Sequence, residues 1–282
     1  MRNRPNTSGA REPQRNAWFL PREHGATAML LTPMVCAAIL SRAWRWSELA
    51  ALTAAFAALA AKDPAVVLAR QRFVWMERHP ETAAAAKWFA AWMVLLILSG
   101  LVLLETWPRR AVIPMGLGVG VFSAVAITVN IKNRQRSTWF QIASAVALTS
   151  SSLATCLSAR GAIAPWCWWL WLLMAMQAAA GILVVHARLD ARIALRGAGP
   201  ATDSFRRAAQ AAIVALACAA AAAAMLARGW IALALLLAVT GYGYDLRRQR
   251  DPASLQMPLK KVGQQALALS SLFAGLLILG FW

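Results

Sequence analysis

A few polar side chains in this chain have types and spacings that suit chemistry. Lys62 and Asp63 stand together just before Pro64, at the end of an apolar run. His186 and Asp190 are four apart, so on a helix they share one face. With Asp63 they have the means to hold a cation or to polarise a bound headgroup. Arg70, Arg134, Arg136 and Arg188, with Asn130 beside them, suit a phosphate, which arginine meets with forked, charge-assisted hydrogen bonds. Glu23 and His24 fall in Pro21-Arg22-Glu23-His24-Gly25, where a proline and an acid suit a helix start and His24 is a candidate active group. His24, Asp63, His186 and Asp190 are of the right types for a metal, but no local spacing fixes their mutual distances. The ordinary reading of each is structural. Lys and Arg at helix C-termini complement the macrodipole and meet lipid phosphates, exposed ion pairs contribute little, and Lys62 can snorkel and neutralise Asp63.

These residues must be positioned by membrane helices. Of 282 residues, 60% are apolar and 14% charged, and mean hydropathy is +0.53. A soluble domain carries about 25% charged residues, so soluble globular, disordered, collagenous and disulfide-rich secreted classes are excluded. A spanning helix needs about 20 mostly apolar residues. Nine such runs are expected, near 24–41, 46–62, 87–105, 111–131, 137–159, 164–186, 207–227, 229–245 and 263–282, with eight as the alternative because the second and eighth are short. The fold class expected is all-α, a polytopic transmembrane bundle forming one domain over 21–282. It is preceded by a polar tail, 1–20, whose Arg, Asn, Pro and Gly content predicts disorder. The apolar run after Pro21 ends in Ala-Ala-Ile-Leu-Ser-Arg and reads as a retained helix rather than a cleaved signal.

Charge sets the orientation. Basic residues number 29 and acidic ones 11, giving +18. In a soluble protein that excess would suggest nucleic acid, but here the basic residues lie between apolar runs, and no nucleic-acid partner is expected. They divide 23 to 6 between the two ends of the runs, which predicts a cytoplasmic N-terminus and an extracytoplasmic C-terminus in a cell inner membrane. Nine of the eleven acids and all three histidines share the basic side. Tryptophan agrees with an interfacial belt: Trp44, Trp46, Trp107, Trp166, Trp168, Trp169, Trp171 and Trp230 fall at outer ends, and Trp18, Trp75, Trp88 and Trp139 at inner ends. Cys36, Cys156, Cys167 and Cys218 form no CxxC pair and default to small buried hydrophobes. Cys156 and Cys167 fall near the same membrane face, where a disulfide is conceivable.

Only thirteen residues separate Glu48 from Lys62, about 20 Å of helix, too short for a hydrocarbon core near 30 Å. The second helix is therefore expected to continue through Pro64 to Ala69, which brings Lys62 and Asp63 below the headgroups, at a kink. The fifth run is rich in hydroxyls, from Ser144 to Ser158, which either bond across helices or line a path. Gly116, Gly118 and Gly120 read as close packing, and Pro33 and Pro114 as kinks.

Pro21-Arg22-Glu23-His24-Gly25-Ala26, running into Met29-Leu30-Leu31-Thr32-Pro33, resembles the start of YwiC-like family membrane proteins, and Leu259-Lys260-Lys261-Val262-Gly263 before the last helix is similar to that family too. The resemblance implies a membrane location and little chemistry. More distantly, nine helices with acids at the inner ends of helices 2 and 6 resemble the UbiA-type prenyltransferase bundle, and Asn133-Arg134-Gln135-Arg136-Ser137-Thr138 with Gln141 is similar to its basic segment between helices 4 and 5. That likeness implies Mg²⁺ held by aspartates and an isoprenoid diphosphate. This chain keeps one acid at each place, Asp63 and Asp190, with Pro64 after the first and His186 four before the second. Two separated acids are a thin supply for Mg²⁺.

Function is accordingly expected to be that of an integral membrane protein that meets membrane lipids and binds an anionic lipid-like or isoprenoid ligand at its cytoplasmic face. The alternatives are an intramembrane prenyltransferase with degenerate Asp motifs, for which alone a Mg cofactor is implied, and a small-solute transporter.

Overall fold

The computed structural model describes residues 24–76, 81–132, 134, 137–197 and 203–282. Among them the chain is helical almost throughout and has no strand. The helices are α1 (His24–Ser41), α2 (Trp46–Arg70), α3 (Thr82–Thr106), α4 (Arg109–Ile131), α5 (Thr138–Thr149), α6 (Ser151–Arg160), α7 (Pro165–Leu195), α8 (Ser204–Met225), α9 (Gly229–Arg248), the short α10 (Pro252–Leu255) and α11 (Leu259–Phe281). A π-helical turn, Gln71–Trp75, continues α2. Among the described residues, eight helical stretches are long and apolar enough to cross a membrane, with α5 and α6 together forming one of them. The apolar part of α1, Gly25–Ser41, is shorter, about 26 Å at 1.5 Å per residue. The disorder expected of 1–20 falls outside the described residues.

Sequence and local physics account for the helix limits. Lys62-Asp63-Pro64 does not end α2, which runs on to Arg70 as its length requires, with Pro64 buried inside it. Pro33 and Pro114 likewise lie inside α1 and α4. Helix α6 stops at Gly161, whose φ of +71° only glycine adopts without strain, and whose N–H bonds Leu157 O at 2.8 Å. Helix α7 is longer than its apolar run and continues through Arg188, Asp190 and Arg192 to Leu195.

Helix α2 packs most extensively on α3 and also touches α4 and α6, while α7, α8, α9 and α11 form a second group. Helix α1 lies against α5, α6, α7 and α11, joining the two. The larger core gathers Leu170, Leu216, Leu235, Phe273 and Leu277, all buried. The smaller gathers Ala51, Leu103, Trp107 and Leu157. Helices α3 and α4 leave large apolar side chains such as Ile97, Leu101, Leu117 and Val121 exposed. Such a surface is at home against lipid tails.

The span formed by α5 and α6 is broken at Ser150, and the hydroxyls expected either to cross-link helices or to line a path are spent at the break. Thr149 bonds Ala145 O, Ser150 bonds Ala147 O and Ser152 bonds Thr149 O. Ser151 donates across to Leu30 O of α1 at 2.7 Å, and Trp171 Nε1 reaches Val146 O at 3.1 Å. A helix interrupted in hydrocarbon must have its freed carbonyls satisfied, and these groups satisfy them. Gly116, Gly118 and Gly120 differ from expectation: a Cβ on any of them would meet nothing within 4 Å. By contrast, one on Gly181 would come 2.9 Å from Tyr242 Oη. The α4 glycines therefore face outward.

Candidate functional site

Specific contacts pin the helix ends into two faces. At one, Arg160 Nη2 donates to Ser41 O at 3.4 Å, Ser47 Oγ to Ser158 O at 2.9 Å and Trp107 Nε1 to Ser158 Oγ at 3.0 Å. The Arg42 guanidinium lies 3.8 Å over the Trp282 ring. This face gathers the ends of α1, α3, α6 and α11. Trp44, Trp46, Trp168, Trp169 and Trp230 are exposed as a belt requires, but Trp107 is 8% exposed and belongs to the core, because its indole N–H has a protein partner. Cys156 and Cys167 are joined in a disulfide across the turn between α6 and α7.

At the other face lie the ends of α2, α4, α7 and α9, where the sequence concentrates its charge. Arg70 Nη2 donates to Asn130 O at 2.6 Å, tying α2 to α4. Asn130 Nδ2 turns back to Ala126 O at 2.8 Å. Lys62 and Asp63 form an ion pair at 3.8 Å, with Asp63 40% exposed at its side chain. Lys132 and Arg134 are exposed. Phe122 of α4 stacks on Phe140 of α5, 6.3 Å between centroids. On α7, His186 Nε2 donates to Gln141 Oε1 of α5 at 2.9 Å, and its ring lies 5.2 Å from that of Phe205 on α8. Asp190, one turn on, is half-buried. Glu23 and Arg136 lie outside the described residues, and of His24 only the backbone, at the start of α1, is described.

Arg188 is 2% exposed. Its Nη1 donates to Ser254 O at 3.0 Å and its Nη2 pairs with Asp245 of α9. Arg192, one turn further, donates to Leu255 O and, at 2.6 Å, to Met257 O. Gln249 Nε2 donates to Val184 O at 3.1 Å, and Ser254 Oγ to Arg248 O. The two arginines thus hold the α9–α11 connection against α7 through the carbonyls that end α10. The sequence reading passed over Arg192, Gln249 and Ser254; the signal was two arginines at i and i+4, one on a face too apolar to stay in water. Deeper in the bundle, Gln177 of α7 donates to Tyr242 Oη at 2.6 Å and to Ser270 Oγ at 2.9 Å, and Tyr242 Oη donates to Gln177 O at 3.1 Å, joining α7, α9 and α11.

Among the described residues, no group of three or more His, Cys, Asp or Glu is placed to hold a metal ion. Of the candidate residues, Arg70 meets Asn130 and Lys62 meets Asp63, while His186 meets Gln141. Asp63 and Asp190 stand on helices whose main packing partners differ, α3, α4 and α6 for α2 and α5, α8 and α9 for α7.

Residues 20–159, which span α1 to nearly the end of α6, match the family described as YwiC-like protein. Neither a curated protein nor a solved structure gives a match. The likeness to UbiA-type bundles therefore rests on sequence features alone: helix order, the places of Asp63 and Asp190, and the segment 133–138 with Gln141.

Proposed function

We propose, from the match of residues 20–159 to the YwiC-like family, that the chain is a membrane protein of that kind and binds an anionic, lipid-like ligand at the cytoplasmic end of its bundle. One observation carries this reading: cations from separate helices stand exposed at one end, among them Arg72, Lys132, Arg134, Arg196, Arg248 and Lys261. Each such cation near an anionic leaflet contributes about 1 kcal/mol of attraction. Two independent features support the cytoplasmic side for them. The 23-to-6 division of basic residues favours it. The Cys156–Cys167 disulfide lies at the opposite end, and disulfides persist on the oxidising side of a membrane.

The test is thermal unfolding of the purified protein in nanodiscs of phosphatidylglycerol or phosphatidylcholine with the same acyl chains. The expected result is a higher Tm in the anionic lipid, a gap that narrows with added salt and in the Lys132→Gln, Arg134→Gln double variant. Equal Tm values in the two lipids would overturn the proposal.

A further inference from the structure

At the inner end of α2 the winding changes. Gln71–Trp75 form a π turn, a device that re-aims side chains and recurs at functional sites. Met76 then ends the segment with φ of +53°, left-handed for a non-glycine residue. The turn leaves Gln71 8% exposed. Its Oε1 accepts from Thr82 Oγ1 at 2.8 Å, and its Nε2 has no acceptor among the described residues. A buried amide donor without a partner is costly and demands an explanation.

The contact with Thr82 supplies one, because Thr82 is the first residue of α3. That helix has 25 residues, and its N-cap residue, Glu81, makes no side-chain capping bond. Its N–H groups and the positive end of its dipole are therefore directed to the place where the Gln71 amide stands. Arg70, the preceding residue, is turned to Asn130 O of α4, and Arg72, the following one, is exposed. Among the described residues, Asp63 is paired with Lys62, and Glu81, just before Thr82, is exposed.

We propose that the π turn of α2 and the N-terminus of α3 form a binding site for a phosphate group, with Gln71 Nε2 and the amides of Ala83 and Ala84 in the first turn of α3 as donors. A buried amide donor beside the positive end of a helix dipole matches an oxyanion. The site rests on the reading that this end of the bundle meets an anionic ligand, and it gives that ligand's head one address.

Two measurements on the full chain test it. In hydrogen–deuterium exchange, inorganic phosphate or a phosphatidylglycerol nanodisc should slow the amides of 71–76 and 82–86 relative to controls free of phosphate and sulfate, in a glycoside detergent for the ion and in a phosphate-free glycolipid for the nanodisc. Protection by both carriers identifies the phosphate group as what is recognised, and protection by the nanodisc alone identifies a lipid headgroup. Either result supports the site. No slowing at these amides overturns it, even in variants that fail to fold, because the wild-type chain is read. In titrations, Gln71→Leu should weaken binding about tenfold, the loss of one hydrogen bond to a charged group. Gln71→Glu, which keeps an acceptor for Thr82, should abolish it, while Arg228→Gln at the opposite end should not. If phosphatidylglycerol raises the Tm of wild type and both Gln71 variants equally, this site is wrong and the general anionic reading stands. If no anion stabilises the wild type, both fall.

Discussion

Arg188 shows how a charge survives inside an apolar bundle. Its guanidinium is shared between Asp245 and the Ser254 carbonyl, and Arg192 repeats the arrangement one turn on. A partner removed from such a pair strands the other, at a cost of about 3 kcal/mol or more. Arg188→Leu should therefore lower unfolding stability by about that amount, and Arg188→Lys should recover less than half, since one ammonium cannot serve both acceptors in their forked geometry. Unfolding titrations in mild detergent with added denaturing detergent would check this. A loss within about 0.5 kcal/mol, the range of an ordinary surface change, would show that the pair carries no such weight. At this scale the sequence was half legible. Arg188 and Asp245 both stand out as charges beside apolar runs, yet nothing local says that Arg188 turns inward to meet Asp245 and not outward to phosphate, because that choice depends on where the α9–α11 connection folds. Gln71 was less legible still, since a π turn leaves no mark on hydrophobic periodicity.

The helices themselves were largely written in the chain. Every apolar run became a helix, and α2 continued past Pro64 because thirteen residues cannot cross a bilayer. The break at Ser150 was not foreseen, since a run of hydroxyls reads alike whether it cross-links intact helices, lines a path or repairs an interrupted one. Nor was the pairing of Cys156 with Cys167 the first expectation, because spacing alone does not show that α6 ends where α7 begins. The disulfide closes the turn between those two helices, and the separation of 11 residues makes it a short loop. By the chain-entropy argument such a closure stabilises by about 3 kcal/mol. The double variant Cys156→Ser, Cys167→Ser should unfold at correspondingly lower denaturant or temperature, measured against wild type under non-reducing conditions. Wild type treated with a reductant able to reach this buried pair should shift the same way. Coincident curves for all three would mean that the hairpin is held by α1 and the Ser151–Leu30 contact alone.

Across the whole molecule, the two faces differ in what they offer. One carries an aromatic belt, the disulfide and few charges. The other carries the helix ends tied by Arg70–Asn130, His186–Gln141 and Arg188–Asp245, with most of the cations. The assignment of that second face to the cytoplasm supports every ligand proposal made for it, because anionic lipid and phosphate are sought there. The measurement that tests it most directly is labelling of single introduced cysteines with a membrane-impermeant maleimide in intact cells, in a background with Cys36 and Cys218 replaced. Trp44→Cys should react without permeabilisation, and Arg134→Cys should react only after it. The reverse pattern would contradict the account.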